Sequence, residues 1–332
     1  MSEVLPNWGL IGHQWAVDML RRHVQNNEAR HAYLFAGPPG LGRRTLAVRF
    51  AQALNCTQPP ALGEFCGACR DCKQIAAMQH PDLAIVQAEN EGGTLKVDQV
   101  REVQHALSLK PYQSKYRVAF FLRFQEANDN AANALLKTLE EAPAYAVLML
   151  TADNPEALLP TIVSRCEVLR LRPLKFDEVK TYLQSKGVES QRANLLAHIS
   201  GGRPGYAMRL LEDEKLLEVR AERLDDLQKL LQSTRVEKFT YVEKLAKDKD
   251  ALRETLLFWL SYWRDVLLRA AKAEMPITNL DRADQIEGLA AQLSLFSVRR
   301  VVMDLELALE RLDRNVNPRL LAEVLLLDWP KV

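Results

Sequence analysis

Residues 32–45 read Ala32-Tyr33-Leu34-Phe35-Ala36-Gly37-Pro38-Pro39-Gly40-Leu41-Gly42-Arg43-Arg44-Thr45. An apolar run of strand length meets a glycine-rich loop, and a helical pattern follows. That order is the context of a phosphate-binding P-loop, GxxxxGK[ST]. In a working loop the Lys reaches the outer phosphates and the hydroxyl holds Mg²⁺. Here Arg43 stands at the Lys position and Arg44 at the hydroxyl position. Arg43 keeps a cation, but a larger one shaped for bidentate contact. Thr45 falls one residue late, about 100° around the helix at ~3.6 residues per turn. The glycines Gly37, Gly40 and Gly42 therefore predict the fold, while Arg43, Arg44 and Thr45 predict weak or absent ATP binding; by themselves these substitutions do not exclude a working ATPase.

Outward from the loop, helix-like and strand-like segments alternate up to about residue 172. Helices are expected over 15–24, 44–54, 98–109 (with Asp98 as N-cap) and 131–141, the last closed by Pro143. Strands are expected over 32–36, 83–86, 118–122, 147–151 and 168–171, those at 83–86 and 118–122 as buried ones. Alternation of this kind argues for a parallel α/β sheet. After Pro173 three short helices are expected over 176–187, 191–200 and 204–212, with Gly201-Gly202 as a break. From about 214 onward the pattern is all helical, clearest over 251–271, 298–312 and 318–329.

The 332-residue chain has room for two or three domains, and with 48% hydrophobic and 26% charged residues it has an ordinary globular balance. A net charge of +1 gives no global drive toward nucleic acid, so such a surface must be local. No run is long and apolar enough to span a membrane, and residues 1–8 lack a secretory pattern, so a cytoplasmic protein is expected. Four of the five cysteines, Cys56, Cys66, Cys69 and Cys72, are spaced C-x9-C-x2-C-x2-C. Four thiolates close a tetrahedral shell, so a structural Zn²⁺ that staples an excursion from the fold is expected, with an Fe–S cluster as the alternative. His80, in His80-Pro81-Asp82, reads as a turn residue.

Four motifs then follow one another: the P-loop, the cysteine cluster, Ala131-Ala132-Asn133-Ala134-Leu135-Leu136-Lys137-Thr138-Leu139-Glu140-Glu141, and Ser164-Arg165-Cys166. Together they resemble the AAA+ subunits of the bacterial DNA polymerase III clamp loader. Asn315-Val316-Asn317-Pro318-Arg319-Leu320 is similar to the family's last collar helix, so the likeness covers the whole chain. The resemblance implies an α/β AAA+ P-loop domain over 1–172 with a parallel sheet and a zinc-binding insertion (56–72). A three-helix lid over 173–213 and an all-α collar, or oligomerisation, domain over 214–332 would follow. It implies gamma/tau and delta subunits, the sliding clamp and primer–template DNA as partners.

Two kinds of subunit share this pattern, ATP-hydrolysing motors (gamma/tau) and a stator whose nucleotide site is degenerate. Motors place an Asp-Glu pair at the strand end before the Ala-Asn-Ala-Leu-Leu-Lys helix, to organise Mg²⁺ and water. The corresponding positions here are Leu122 and Arg123; Glu126 and Asp129 lie beyond the strand end. The family's sensor Arg falls on Gly205 in Gly202-Arg203-Pro204-Gly205-Tyr206-Ala207, and Thr151 stands at the polar-sensor strand end. The stator kind fits these losses. An active motor with a diverged site and a separate zinc-containing nucleic-acid-binding protein are the rival readings.

The resemblance makes Arg165 an arginine finger directed at a neighbouring subunit's ATP, where the bland alternative is an ion pair with a local acid. Cys166 reads as packing. A helix start near Lys96 and Arg101 offers amides and cations to DNA phosphate; a capped surface helix is the alternative. Leu305, Leu309 and Leu312, and Leu320, Val324 and Leu327, recur at helical spacing and read first as core.

Overall fold

A computed structural model describes residues 6–90, 92–314 and 316–330. Asn315 of the collar-like motif and residues 1–5 lie outside the described residues. The chain divides into two compact units. The first runs to Tyr182 and takes in Arg203–Tyr206; the second comprises Leu183–Gly202 and the chain from Ala207 onward.

The first unit contains, in chain order, α1 (Gln14–Gln25), β1 (Ala32–Ala36), α2 (Arg43–Asn55), α3 (Arg70–Ala76), β2 (Leu83–Val86), α4 (Val97–Ser108), β3 (Arg117–Phe121), α5 (Asp129–Glu140), β4 (Ala146–Ala152), α6 (Pro160–Val163) and β5 (Glu167–Arg170). Its described strands form one parallel sheet in the order β2-β3-β4-β1-β5. β1 and β4 are buried along their whole length, as expected for inner strands covered on both faces. Alternation of side chains sends Tyr33 and Phe35 to the face covered by α1 and α2, where they meet Leu20, Leu46 and Phe50. Ala32 and Leu34 turn to the other face, against Val100 of α4 and Leu135 of α5. α5 starts where the Asn128 side chain accepts from Ala131 N–H at 2.8 Å, with Asp129 in the first turn complementing the helix dipole.

Two expectations need correction. The 83–86 run is not a buried strand: β2 is an edge strand, and Ile85 is 37% exposed. An apolar run of four residues looks the same at an edge as in the middle of a sheet. Nor is Asp98 the cap of α4. The helix begins one residue earlier, with Lys96 at the cap position and its N–H donating to the Gln99 side chain at 2.9 Å. Asp98 sits inside the first turn.

The three helices expected after Pro173 are α7 (Phe176–Ser185), α8 (Ser190–Ile199) and α9 (Pro204–Glu212). The helices beyond them are α10 (Glu214–Gln232), α11 (Arg235–Leu245), α12 (Lys249–Ala270), α13 (Ala283–Gln292), α14 (Leu295–Asp313) and α15 (Pro318–Leu327). On α12, Leu252, Leu256, Trp259, Trp263 and Val266 recur at steps of four and three and form a buried stripe. Trp329 meets both indoles, with ring centroids 5.0 Å from Trp259 and 6.0 Å from Trp263. Arg220, buried in the same unit, is paired: it binds both Asp281 carboxylate oxygens at 2.9 Å and Asn279 Oδ1 at 2.6 Å.

The C-terminal stripes separate here. Leu305 and Leu312 are buried and Leu309 packs against the same core. On α15 the core face is Leu321, Ala322, Leu325 and Leu326, whereas Leu320, Val324 and Leu327 are 58%, 50% and 41% exposed. Both rows have helical spacing, so periodicity alone does not choose between them.

Candidate functional site: a closed phosphate loop and a four-cysteine cluster

The P-loop runs from β1 into α2 as a phosphate cradle would, with Gly40 at φ 87° and Gly42 at φ 91°. Its cation is occupied internally. Arg43 is buried, and its Nη1 lies 2.9 Å from Asp153 Oδ1, just past the end of β4. The loop itself is also closed. Gly205 N–H donates to Gly40 O at 2.8 Å, and a Cβ at Gly205 would lie 2.9 Å from that oxygen. A Cβ at Gly40 would lie 2.9 Å from Tyr206 N. The start of α9 thus rests on the loop backbone, and Gly205 leaves the room that a Cβ would take. Arg44 and Thr45 are exposed.

The strand ends beside the loop are equally committed. β3 stops at Phe121, and Leu122 is buried in the sheet core. Arg123 adopts φ 51°, a left-handed conformation that costs a non-glycine residue roughly 1–2 kcal/mol. Its N–H donates to Thr151 Oγ1 at 2.9 Å, so the sensor-position hydroxyl ties β3 to β4. The Arg123 guanidinium turns to Glu126, at 2.8 Å, and Glu126 also accepts from Gly92 N–H at 2.9 Å. Leu122 and Arg123 themselves carry no carboxylate, and the acid beside them, Glu126, is held by Arg123 and Gly92.

The cysteine cluster assembles after α2. The four Sγ atoms lie within 4.8 Å of one another, with Cys56–Cys66 at 3.6 Å and Cys66–Cys72 at 4.0 Å. Metal–sulfur bonds of ~2.3 Å in a tetrahedron require sulfurs about 3.8 Å apart, so the four thiols fit a metal ion. Backbone N–H groups of Cys66, Cys69 and Cys72 donate to the Sγ of Cys56, Cys66 and Cys69 at 3.3, 3.2 and 3.4 Å. Such donors favour thiolate: against partial burial, the Cys72 amide and Thr57 bring the Cys69 thiol down to about 6. The excursion is also anchored by packing. Trp8 Nε1 donates to Glu64 at 3.1 Å, Arg21 pairs with the same carboxylate at 2.7 Å, and the Arg49 guanidinium lies over Phe65.

His80 stands outside the cluster. Its Nδ1 accepts from Asp82 N–H at 3.0 Å, and its Nε2 faces Asp71 at 3.2 Å. Asp82 in turn accepts from the N–H groups of Tyr112, Gln113 and Ser114 at 2.6, 2.9 and 3.0 Å. Burial opposes ionisation of Asp82, but these three donors and His80 hold its carboxyl below the usual range. This anchor and the Asp153 partner of Arg43 escaped sequence reading. The available signal for Asp153 was an acid just past the strand end that follows the helix of residues 131–141, beside a loop whose cation had changed.

Arg165 follows α6, with Nη2 on Glu140 at 2.5 Å and Nη1 on Thr161 O at 2.9 Å. Both charged side chains are partly exposed, at 35% and 51%. The local ion pair foreseen as the bland alternative is therefore formed within the chain. Cys166 packs into the core, and burial pushes its thiol up to about 12. Lys96 and Arg101 are exposed at the start of α4, and Arg101 has only a 3.5 Å contact to Asp98.

Family comparison matches the description "DNA polymerase III, delta subunit" over residues 12–175 and "DNA polymerase III, delta subunit, C terminal" over residues 214–331. The DNA polymerase III subunit delta' of Pseudomonas aeruginosa is 33% identical over 315 residues, covering 90% of this chain and 91% of that one. The chain belongs to the delta' family of DNA polymerase III subunits. A second delta' protein, from Bacillus subtilis, is 30% identical over 313 residues, with 93% of each chain covered. The subunit tau/gamma of Haemophilus influenzae is 32% identical, but over only 174 residues, 52% of this chain and 25% of that one. Likeness to delta' thus spans both units, whereas likeness to that tau/gamma protein covers half of the chain. None of the described helices of this delta' family member is long and apolar enough to cross a membrane.

Proposed function

We propose that this chain is the non-hydrolysing stator of a cytoplasmic bacterial DNA polymerase III clamp loader, helping gamma/tau and delta subunits place the sliding clamp on primer–template DNA. The observation that carries this reading is the double closure of the P-loop, with Arg43 paired to Asp153 and Gly205 bonded to Gly40. A triphosphate would have to displace a half-buried ion pair and a helix start, and would then find no acid at Leu122 or Arg123 to hold Mg²⁺. The chain keeps the scaffold of an ATPase and contributes to a neighbour's chemistry through Arg165.

In this reading Arg165 leaves Glu140 and reaches the ATP of the adjoining subunit. A half-exposed ion pair is worth only ~0–1 kcal/mol, so releasing it is a small obstacle. A cation supplied in trans accelerates phosphoryl transfer by ~10³–10⁵ in systems of this kind. Zn²⁺ held by Cys56, Cys66, Cys69 and Cys72 fills a closed four-thiolate shell, which leaves no open coordination position and gives the metal a structural role. Lys96, Arg101 and the free amides of α4 bind DNA phosphate without reading sequence. Residues 1–172 form the AAA+ domain, 173–213 the lid and 214–332 the collar. The exposed rows Phe296, Met303 and Leu307 on α14 and Leu320, Val324 and Leu327 on α15 support that last assignment, because apolar rows of this kind mark interfaces.

Two measurements test the reading. The purified chain is expected to show no ATPase above background, and a substantial rate that Gly42→Ala abolishes would reject the stator assignment. In a reassembled complex, Arg165→Ala is expected to lower DNA-stimulated ATPase, and an unchanged rate would reject the finger.

A further inference from the structure

β5 ends the sheet, and among the described residues no strand pairs with its outer edge. Pairing with β1 uses alternate residues: Leu171 N–H donates to Ala36 O at 2.7 Å, in the register Leu34↔Val168 and Ala36↔Arg170. In a parallel pair this turns the backbone N–H and C=O of Val168, Arg170 and Arg172 the other way. Among the described residues these groups have no backbone partner. An open strand edge is a template for another strand, and proteins often blunt one with charge alone.

This edge is more than blunted. It forms one wall of a groove of about 760 Å³ whose other wall is the start of α1. Trp15 stands in that wall 50% exposed, a large apolar surface left to solvent. His13 lines the same groove, is 7% exposed, and has a buried Nε2 with no hydrogen-bond partner. Across from them are Arg170, Arg172 and Lys175, all exposed. Arg170 is shared with Glu156 at 2.8 Å, and Glu178 is the acid of this wall, which leaves an excess of positive charge.

We propose that this groove takes an extended, acidic segment of another protein, which adds to the sheet as a further strand beside β5. The backbone of the segment pairs with Val168, Arg170 and Arg172, its carboxylates face Arg172 and Lys175, and an apolar side chain covers Trp15. Every residue involved belongs to the first unit, and the proposal needs no nucleotide at the neighbouring P-loop, so the inference stands apart from the clamp-loader reading. Single-stranded nucleic acid would use the cations and Trp15 but leave the strand edge unpaired.

The test uses the full chain and a short fluorescein-labelled peptide of alternating Asp and Val, with a Lys/Val peptide and oligo-dT as comparisons. The acidic peptide is expected to bind saturably by anisotropy, and to slow hydrogen exchange of the Val168, Arg170 and Arg172 amides. Reversing the exposed cations (Arg172→Glu with Lys175→Glu) is expected to weaken binding by roughly tenfold or more. Trp15→Ala weakens it without altering the unfolding midpoint. Absence of saturable binding, unchanged affinity after charge reversal, unprotected edge amides, or a preference for oligo-dT lost in the same variants would each overturn the proposal.

Discussion

At Arg43 and Asp153 a cation evolved for phosphate geometry is held by a carboxylate of the same chain. Removing the acid leaves a buried guanidinium without its partner, so Asp153→Ala is expected to cost about 1–3 kcal/mol in urea unfolding, discounted because Asp153 is one-third exposed. Gly205→Ala tests the second closure: a Cβ 2.9 Å from Gly40 O forces backbone apart. A loss of about 1–3 kcal/mol is expected, where an open helix position would gain stability from the same change. Asp82 gives a pH signature. Its folded-state pKa is depressed, so its contribution is complete above an unfolded value of about 3.9 and disappears as pH falls through the lower folded value. Asp82→Asn should therefore lower stability by about 1–3 kcal/mol at pH 7. The gap from wild type should close below pH ~4, measured as paired urea midpoints.

At the scale of elements, the cysteine excursion has two supports of different kind. Trp8, Phe65 and the Glu64–Arg21 pair tie it to α1 by packing and charge, while four thiols close on a metal-sized space. With metal bound, thiolate repulsion becomes attraction, so metal removal should destabilise by several kcal/mol. Purified chain is expected to carry zinc in metal analysis, without the visible absorption of an iron–sulfur cluster. Cys66→Ser, which takes out the sulfur nearest two others, should lose the metal and lower the thermal midpoint. Cys166→Ser should leave metal content intact. α15 shows the complementary case, one helix with two apolar rows of equal spacing, of which tertiary packing buried one.

For the whole molecule, the prediction follows from which rows stayed exposed. Leu320→Glu with Val324→Glu should abolish incorporation into a clamp-loader complex by native mass measurement. The unfolding midpoint of the isolated chain should move by less than ~0.5 kcal/mol. Charge at Leu325, which is 6% exposed, should unfold the unit instead. Similar behaviour of the two variants would mean that the exposed row is not an interface.

The alternation of apolar strands and amphipathic helices, the P-loop and the cysteine spacing were legible in the sequence because they are local: each depends on residues within one turn, one strand or one loop. On that basis the parallel sheet, the five strands and the grouping of four cysteines could be written down from residues alone, as could the departures from a P-loop at Arg43 and Arg44; those at Leu122, Arg123 and Gly205 needed the family resemblance. Edge or centre for β2, the cap of α4 and the buried face of α15 were not legible, because neighbours distant in sequence decide them. Nor did the sequence say that the lost site had been closed. It displayed missing groups, whereas the fold supplied Asp153 for Arg43 across 110 residues and brought Gly205 onto Gly40. Absence of a reactive side chain is a property of one position; occupation of its space is a property of contacts, and only tertiary structure sets those.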